Sequence, residues 1–141
     1  MSMATYIGFN FPVEIQDDYT ENEVDINYFF SVKENRQIVQ AKHFTTPYVY
    51  EIETKGEPIW QMHNDNKVYS PPHNYEKAKR TFHHVCDFLK KFLPKGDYCE
   101  IYICWIGEEG EEHEKKLALL LDQLSVEEVD IVEKCLLMLR N

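Results

Sequence analysis

The stretch Tyr98–Ile106 (YCEIYICWI) limits the possible folds of this chain more than any other. It is apolar at both parities except at Glu100. A surface strand alternates apolar and polar side chains, whereas a strand covered on both faces reads as a continuous apolar run. Residues 98–106 are therefore expected to form a central strand of a sheet with something packed on each side. The chain has 141 residues, the length of one domain, and we read 1–141 as a single domain. Hydrophobic residues make up 43% and aromatics 13% of it, enough for a substantial core.

The first half reads as further strands. Ile7, Phe9, Phe11, Val13 and Ile15 alternate with polar or small residues, which predicts a half-buried strand. Pro12 cannot donate to a ladder, which places that strand at an edge or a bulge. Residues 16–23 are acidic and polar and read as a loop. Val24, Ile26, Tyr28, Phe30 and Val32 form a second alternating set, followed by a turn at Glu34-Asn35. A weaker strand is expected over 37–44, another over 48–53, and a short one over 59–62. The sequence Lys55-Gly56-Glu57-Pro58 separates the last two. These strands together suggest an antiparallel meander.

Residues 63–73 (HNDNKVYSPPH) carry two prolines and several turn-formers, a connector. Asn74 then suits a helix N-cap. Ala78, Phe82, Val85, Leu89 and Phe92 recur at steps of three and four. They form one apolar stripe, predicting a long helix over 75–93 that stops at Pro94-Lys95-Gly96. Leu117–Leu121 fits either helix or strand. Ser125 and Glu128 resemble a capping box ahead of Val129, Val132, Leu136 and Leu139. We therefore expect a C-terminal helix over 126–140. Alternation at Val129, Ile131, Cys135, Leu137 and Leu139 keeps a strand as the rival. The fold class expected is α+β: an antiparallel or mixed β-sheet packed by one long central helix.

The net charge is −10. Both nucleic-acid backbones and anionic membranes repel such a chain, so neither is expected as a partner. No apolar run approaches the roughly 18 residues of a spanning helix, and no signal-peptide pattern opens the chain. Cys86, Cys99, Cys104 and Cys135 form no C-x-x-C pair and sit among apolar neighbours. They read as reduced core thiols of a cytoplasmic protein. His83, His84 and Cys86 could share part of a helix, and His63, Asp65 and His73 share the connector. Neither set has recognisable metal spacing, so no metal or cofactor is expected. No nucleophile elbow, phosphate loop or dinucleotide motif occurs. The chain reads as a non-enzyme.

Charge is uneven. Residues 74–96 carry a net +4, whereas 97–141 carry −8. Glu108, Glu109, Glu111, Glu112 and Glu114 fall within seven positions, directly after the rigid central strand. Most charge runs are solvated surface. This one adds charge to an already negative chain at a fixed place, as a patch that captures a basic partner would. Trp60 and Tyr69 border the connector and are candidate aromatic anchors.

The segment Glu100-Ile101-Tyr102-Ile103-Cys104-Trp105-Ile106-Gly107-Glu108-Glu109 resembles the strand-plus-acidic-loop segment of small bacterial immunity proteins. These are the cytosolic inhibitors encoded beside contact-dependent or polymorphic toxins. The likeness covers about 15 residues and transfers no individual residue role. It implies an inhibitor that binds a basic toxin or nuclease domain and occludes its active site. The alternative is a ligand-binding or self-associating structural domain. A small enzyme using the His63–His73 loop is a third reading. The sequence leaves the partner and the oligomeric state open.

Overall fold

A computed structural model describes residues 2–15, 22–29, 31–63 and 73–141. In chain order its elements are β1 (Met3–Phe9), β2 (Val24–Asn27), α1 (Lys33–Lys42), β3 (Tyr48–Thr54), α2 (His73–Phe92), β4 (Tyr98–Trp105), β5 (Lys115–Leu120) and β6 (Cys135–Arg140). Short 3₁₀ turns occupy Ile59–Gln61 and Val126–Glu128. The strands form one sheet in the order β2-β3-β1-β4-β6-β5. Every pairing is antiparallel except β5 with β6. The architecture is α+β with a mixed sheet rather than a meander.

β4 is central, as its composition requires. It pairs with β1 on one side (Ile7 opposite Ile101) and β6 on the other (Ile101 opposite Leu137). Residues 99–104 are buried throughout. Odd-numbered side chains on β1 and β4 face α2, whose Ala78, Phe82, Val85 and Leu89 are fully buried against Ile7, Phe9, Ile101 and Ile103. Each of these side chains larger than alanine stabilises the fold by roughly 1.5–3 kcal/mol. Tyr6, Tyr102 and Cys104 point to the opposite face, where Val39 of α1 and Phe44 cover them.

Two helices thus replace the single central one expected. The sequence over 37–44 forms most of α1, not a strand, and Glu34-Asn35 lies in its first turn rather than in a tight turn. The segment is rich in helix-forming Lys, Glu, Arg and Gln. Asn35 Oδ1 also accepts the Val32 N–H at 3.0 Å, satisfying a donor that a helix start leaves open. β2 stops at Asn27, whose side chain accepts the next N–H at 2.7 Å. Val32, grouped with that strand by alternation, is instead the residue that opens α1, and Phe30 lies outside the described residues.

β1 also differs from expectation. It begins at Met3, ends before Pro12 and lies between two strands instead of at an edge. The short strand expected over 59–62 is a 3₁₀ turn. Asn74 lies within α2 rather than capping it.

The expected C-terminal helix is absent. Ser125 makes no capping bond. Lys134 has φ 59°, a left-handed value that interrupts a right-handed helix. From Cys135 the chain is β6, and Val129, Ile131, Cys135, Leu137 and Leu139 are all buried, as the rival alternation required.

Candidate functional site

The acidic loop leaves β4 through Gly107, at φ 105°, a conformation that favours glycine. The Glu108 N–H donates to Trp105 C=O at 3.0 Å and the Glu111 N–H to Glu108 C=O at 3.1 Å. These turns drive Glu109 inward. Glu109 is 2% exposed, which corrects its expected place in a patch that meets a partner. Both its carboxylate oxygens accept the Gly107 N–H at 2.9 Å, and Oε1 accepts Asn35 Nδ2–H at 2.8 Å. Glu109 therefore fastens the loop to the start of α1, whose partial positive charge suits a carboxylate. It is not part of any exposed patch.

Two other buried carboxylates hold the same helix. Glu51 accepts the backbone and hydroxyl donors of Ser31 at 2.8 and 2.6 Å, just before α1. Glu100 accepts the Thr45 and Thr46 N–H groups, both at 2.8 Å, just after it. This explains the lone polar residue in β4. It replaces the ladder partners that the chain loses on leaving α1.

The loop is tied down at further points. His43 Nε2–H donates to Glu109 C=O at 2.9 Å, and its ring stacks on Tyr102 with centroids 3.8 Å apart. Burial holds the His43 pKa below its usual value, and the bond to the Glu109 carbonyl partly offsets this. His113 Nδ1 lies 3.4 Å from His43 Nδ1. Glu112 pairs with Lys42, which keeps its carboxyl below the usual range. Glu111 pairs with Lys134 at 3.3 Å.

Of the five clustered glutamates, Glu111, Glu112 and Glu114 are exposed and Glu108 is half-buried. Desolvation raises the Glu108 pKa. Glu111 adds to the rise, Lys134 opposes it and Glu133 adds further. The Lys134 ammonium is held charged by its bond to Glu111, and Glu108 and Glu114 reinforce that. Lys42, Lys115 and Lys134 lie among Glu108, Glu111, Glu112, Glu114 and Glu133, and the carboxylates outnumber them.

Trp60 sits on the first 3₁₀ turn, half-buried against the α2 face of the core. It shares a cleft of about 650 Å³ with Met3, His63, Glu114, Lys115, Val132 and Glu133. Trp60 and Glu114 thus meet, although they lie 54 positions apart in the chain. Glu112 does not join them, because it turns toward α1. Tyr69 lies outside the described residues. Glu133 and Lys134 escaped the sequence reading. They meet the loop because β5 runs parallel to β6 with Lys115 opposite Cys135, a pairing that no local pattern announces.

Comparison with protein-family models, curated proteins and solved structures finds no match to any of them.

The chemical inventory elsewhere is sparse. His83 and His84 are exposed on α2 while Cys86 is buried, so the three do not converge. Among the described residues no group of three or more His, Cys, Asp or Glu side chains could hold a metal ion. Asp65 lies outside them. All four thiols are free and buried. Burial raises the pKa of Cys86 to about 12 and of Cys135 to about 11, and lifts Cys99 and Cys104 further. A thiolate nucleophile at neutral pH is therefore not available from any of them. Among the described residues no helix is long and apolar enough to cross a membrane.

Proposed function

We propose that this chain is a cytosolic inhibitor of the immunity-protein kind, which binds a basic toxin or nuclease domain and blocks it rather than catalysing a reaction. The observation that carries this reading is the cleft in which Trp60 lies beside Glu114 and Glu133, with Glu108 and Glu111 close by. An aromatic side chain at a wall supplies an apolar anchor. Carboxylates at the rim stand where a nuclease would meet phosphates, and steer a basic surface toward the cleft. Glu109 supports the reading in a different role, because it fixes the position of those rim charges.

The test is co-expression and pull-down with the product of the neighbouring gene, followed by binding measurements at low and physiological salt. The association rate should fall as salt rises, since the Debye length shrinks to about 8 Å at 0.15 M. Glu111→Gln, Glu114→Gln and Glu133→Gln together should weaken the complex by roughly 0.6–3 kcal/mol, at about 0.2–1 kcal/mol for each exposed pair. Failure to bind any basic partner, or a flat salt response with no loss in the triple variant, would remove this reading.

A further inference from the structure

We propose that a gap in the sheet between β1 and β3 is a binding site for a small, flat, uncharged nitrogen heterocycle with an amide edge, of the pyrimidine or purine class. The two strands pair from Phe9 opposite Tyr48 to Tyr6 opposite Glu51 and no further. Both continue beyond that point, β1 back to Met3 and β3 on to Thr54. Over these residues each strand pairs only on its far side. Met3, Ala4 and Thr5 lie opposite Trp105, Cys104 and Ile103 of β4, and Ile52, Glu53 and Thr54 lie opposite Ile26, Asp25 and Val24 of β2. The sheet therefore forks.

Backbone groups turn to alternate sides along a strand. The Ser2 C=O accepts the Ile106 N–H at 2.8 Å, so even-numbered residues of β1 turn to β4, and Met3 and Thr5 turn into the fork. The Glu23 C=O accepts the Lys55 N–H at 3.2 Å, so odd-numbered residues of β3 turn to β2, and Ile52 and Thr54 face the fork from its other wall. The next ladder bond would run from Thr5 N–H to Ile52 C=O. It is not made, and neither group has another partner among the described residues. Both residues are 7% exposed. Buried backbone groups are nearly always paired, so the fork calls for an occupant that brings an acceptor to Thr5 and a donor to Ile52.

The fork opens on a cavity of about 240 Å³. One water takes about 30 Å³, so the space far exceeds what a bridging water needs. It falls short of the roughly 300–1,000 Å³ typical of drug-sized ligands, which limits the occupant to one ring or two fused rings. The walls set the rest of its chemistry. Val85 of α2 and Ile59 are buried, and the half-buried Phe29 and Trp60 add aromatic surface on which flat rings stack. Among the described residues no Lys, Arg or His lines the cavity, while Glu51 and Glu53 do. An anion is therefore disfavoured, and with it a nucleotide or a nucleic-acid strand. The Glu51 carboxylate already accepts two donors from Ser31, so it asks for no cation. A neutral ring with C=O beside N–H answers both backbone groups at once: its oxygen accepts from Thr5 and its N–H donates to Ile52. The cavity shares Met3 and Trp60 with the acidic cleft, but the proposal rests on the fork alone and needs no protein partner.

NMR titration of the purified chain with uracil and hypoxanthine tests this. Both should shift the amides of Thr5 and of Glu53, whose nitrogen shares a peptide group with the Ile52 C=O, and should slow hydrogen exchange at Thr5. Uracil methylated on both ring carbons keeps its N–H groups and should still bind. Its isomer methylated on both nitrogens has the same size and no N–H, and should bind about tenfold more weakly. Orotate, a uracil that carries a carboxylate, should also bind about tenfold more weakly than uracil. Phe29→Ala should weaken uracil binding about tenfold with unchanged circular dichroism. If that variant fails to fold, the ligand series on the parent chain decides. Absence of any saturable shift at Thr5 up to the solubility of the bases overturns the proposal, since the gap then holds water only. Equal binding of the two methylated isomers overturns it too, as does toluene reproducing the shifts of uracil, because the cavity is then merely apolar.

Discussion

Glu109→Ala should unfold the protein more readily than any other single change in the acidic loop. The carboxylate is 2% exposed and accepts the Gly107 N–H at 2.9 Å through both oxygens and Asn35 Nδ2–H at 2.8 Å. Truncation leaves two donors without their acceptor in a part-buried setting, each costing about 1–3 kcal/mol. Relief of an uncompensated buried charge works the other way, but the α1 terminus already offsets part of that cost. The net loss should be about 2–5 kcal/mol, a large share of the roughly 5–15 kcal/mol typical of a domain. Glu109→Gln is the control. Oε1 accepts from both Gly107 and Asn35, so a glutamine oxygen in its place keeps both bonds, and the loss should be about 1 kcal/mol. Urea unfolding reads both variants. With a slope of about 1–3 kcal/mol/M, a 3 kcal/mol loss lowers the midpoint by about 1–3 M. An alanine variant within about 0.5 kcal/mol of the parent, or one equal to the glutamine variant, would refute a fastening role for Glu109.

Stability should fall as pH drops below about 6.5, in part through His43. Its folded pKa is lowered, chiefly by burial. Above the unfolded value both states are neutral and His43 contributes nothing. Below it the unfolded chain takes up the proton first and stability is lost, until the folded pKa is passed. His43→Asn should flatten this part of the profile in urea titrations between about pH 7.5 and 5, and an unchanged slope would exclude His43 as a source. The four buried thiols should resist a disulfide reagent in the native state and all react in denaturant. Rapid native labelling of Cys86 or Cys135 would contradict their burial.

The legible parts of the fold were those in which side-chain pattern and tertiary demand coincide. β4 and α2 each carry a long apolar pattern that only one environment satisfies. α1 was hidden because it buries little, with Val39 its single fully covered residue. It is held instead by Glu51 and Glu100 from distant strands and by Glu109 from the acidic loop, each at least 20 positions from the donor it serves at α1. The end of the chain carried two patterns at once. β4 needed a partner on its second side, and that decided between them. The acidic loop was legible in position but not in detail. A run of glutamates does not show which member turns inward, since that depends on the turn at Gly107 and on Asn35, 74 positions away. The cleft around Trp60 depends on β5 and β6 lying side by side, which follows from the sheet order alone.

That sheet order also sets a schedule for synthesis. β6 lies between β4 and β5 in space but follows both in the chain. A ribosome therefore releases β5 before the strand on which it must dock. β3 finds both β1 and β2 already made, and β4 finds β1, so the first four strands can assemble with α2 before β5 emerges. The apolar run Leu117–Leu121 has no such neighbour until residues 135–140 arrive and insert against β4. During that interval the nascent chain displays an unpaired hydrophobic strand at a growing edge, open to trigger factors, to other nascent chains on the same message, or to premature pairing with β4. Translation speed across residues 121–140 is thus a control on yield, and slow codons there would lengthen the exposure of β5.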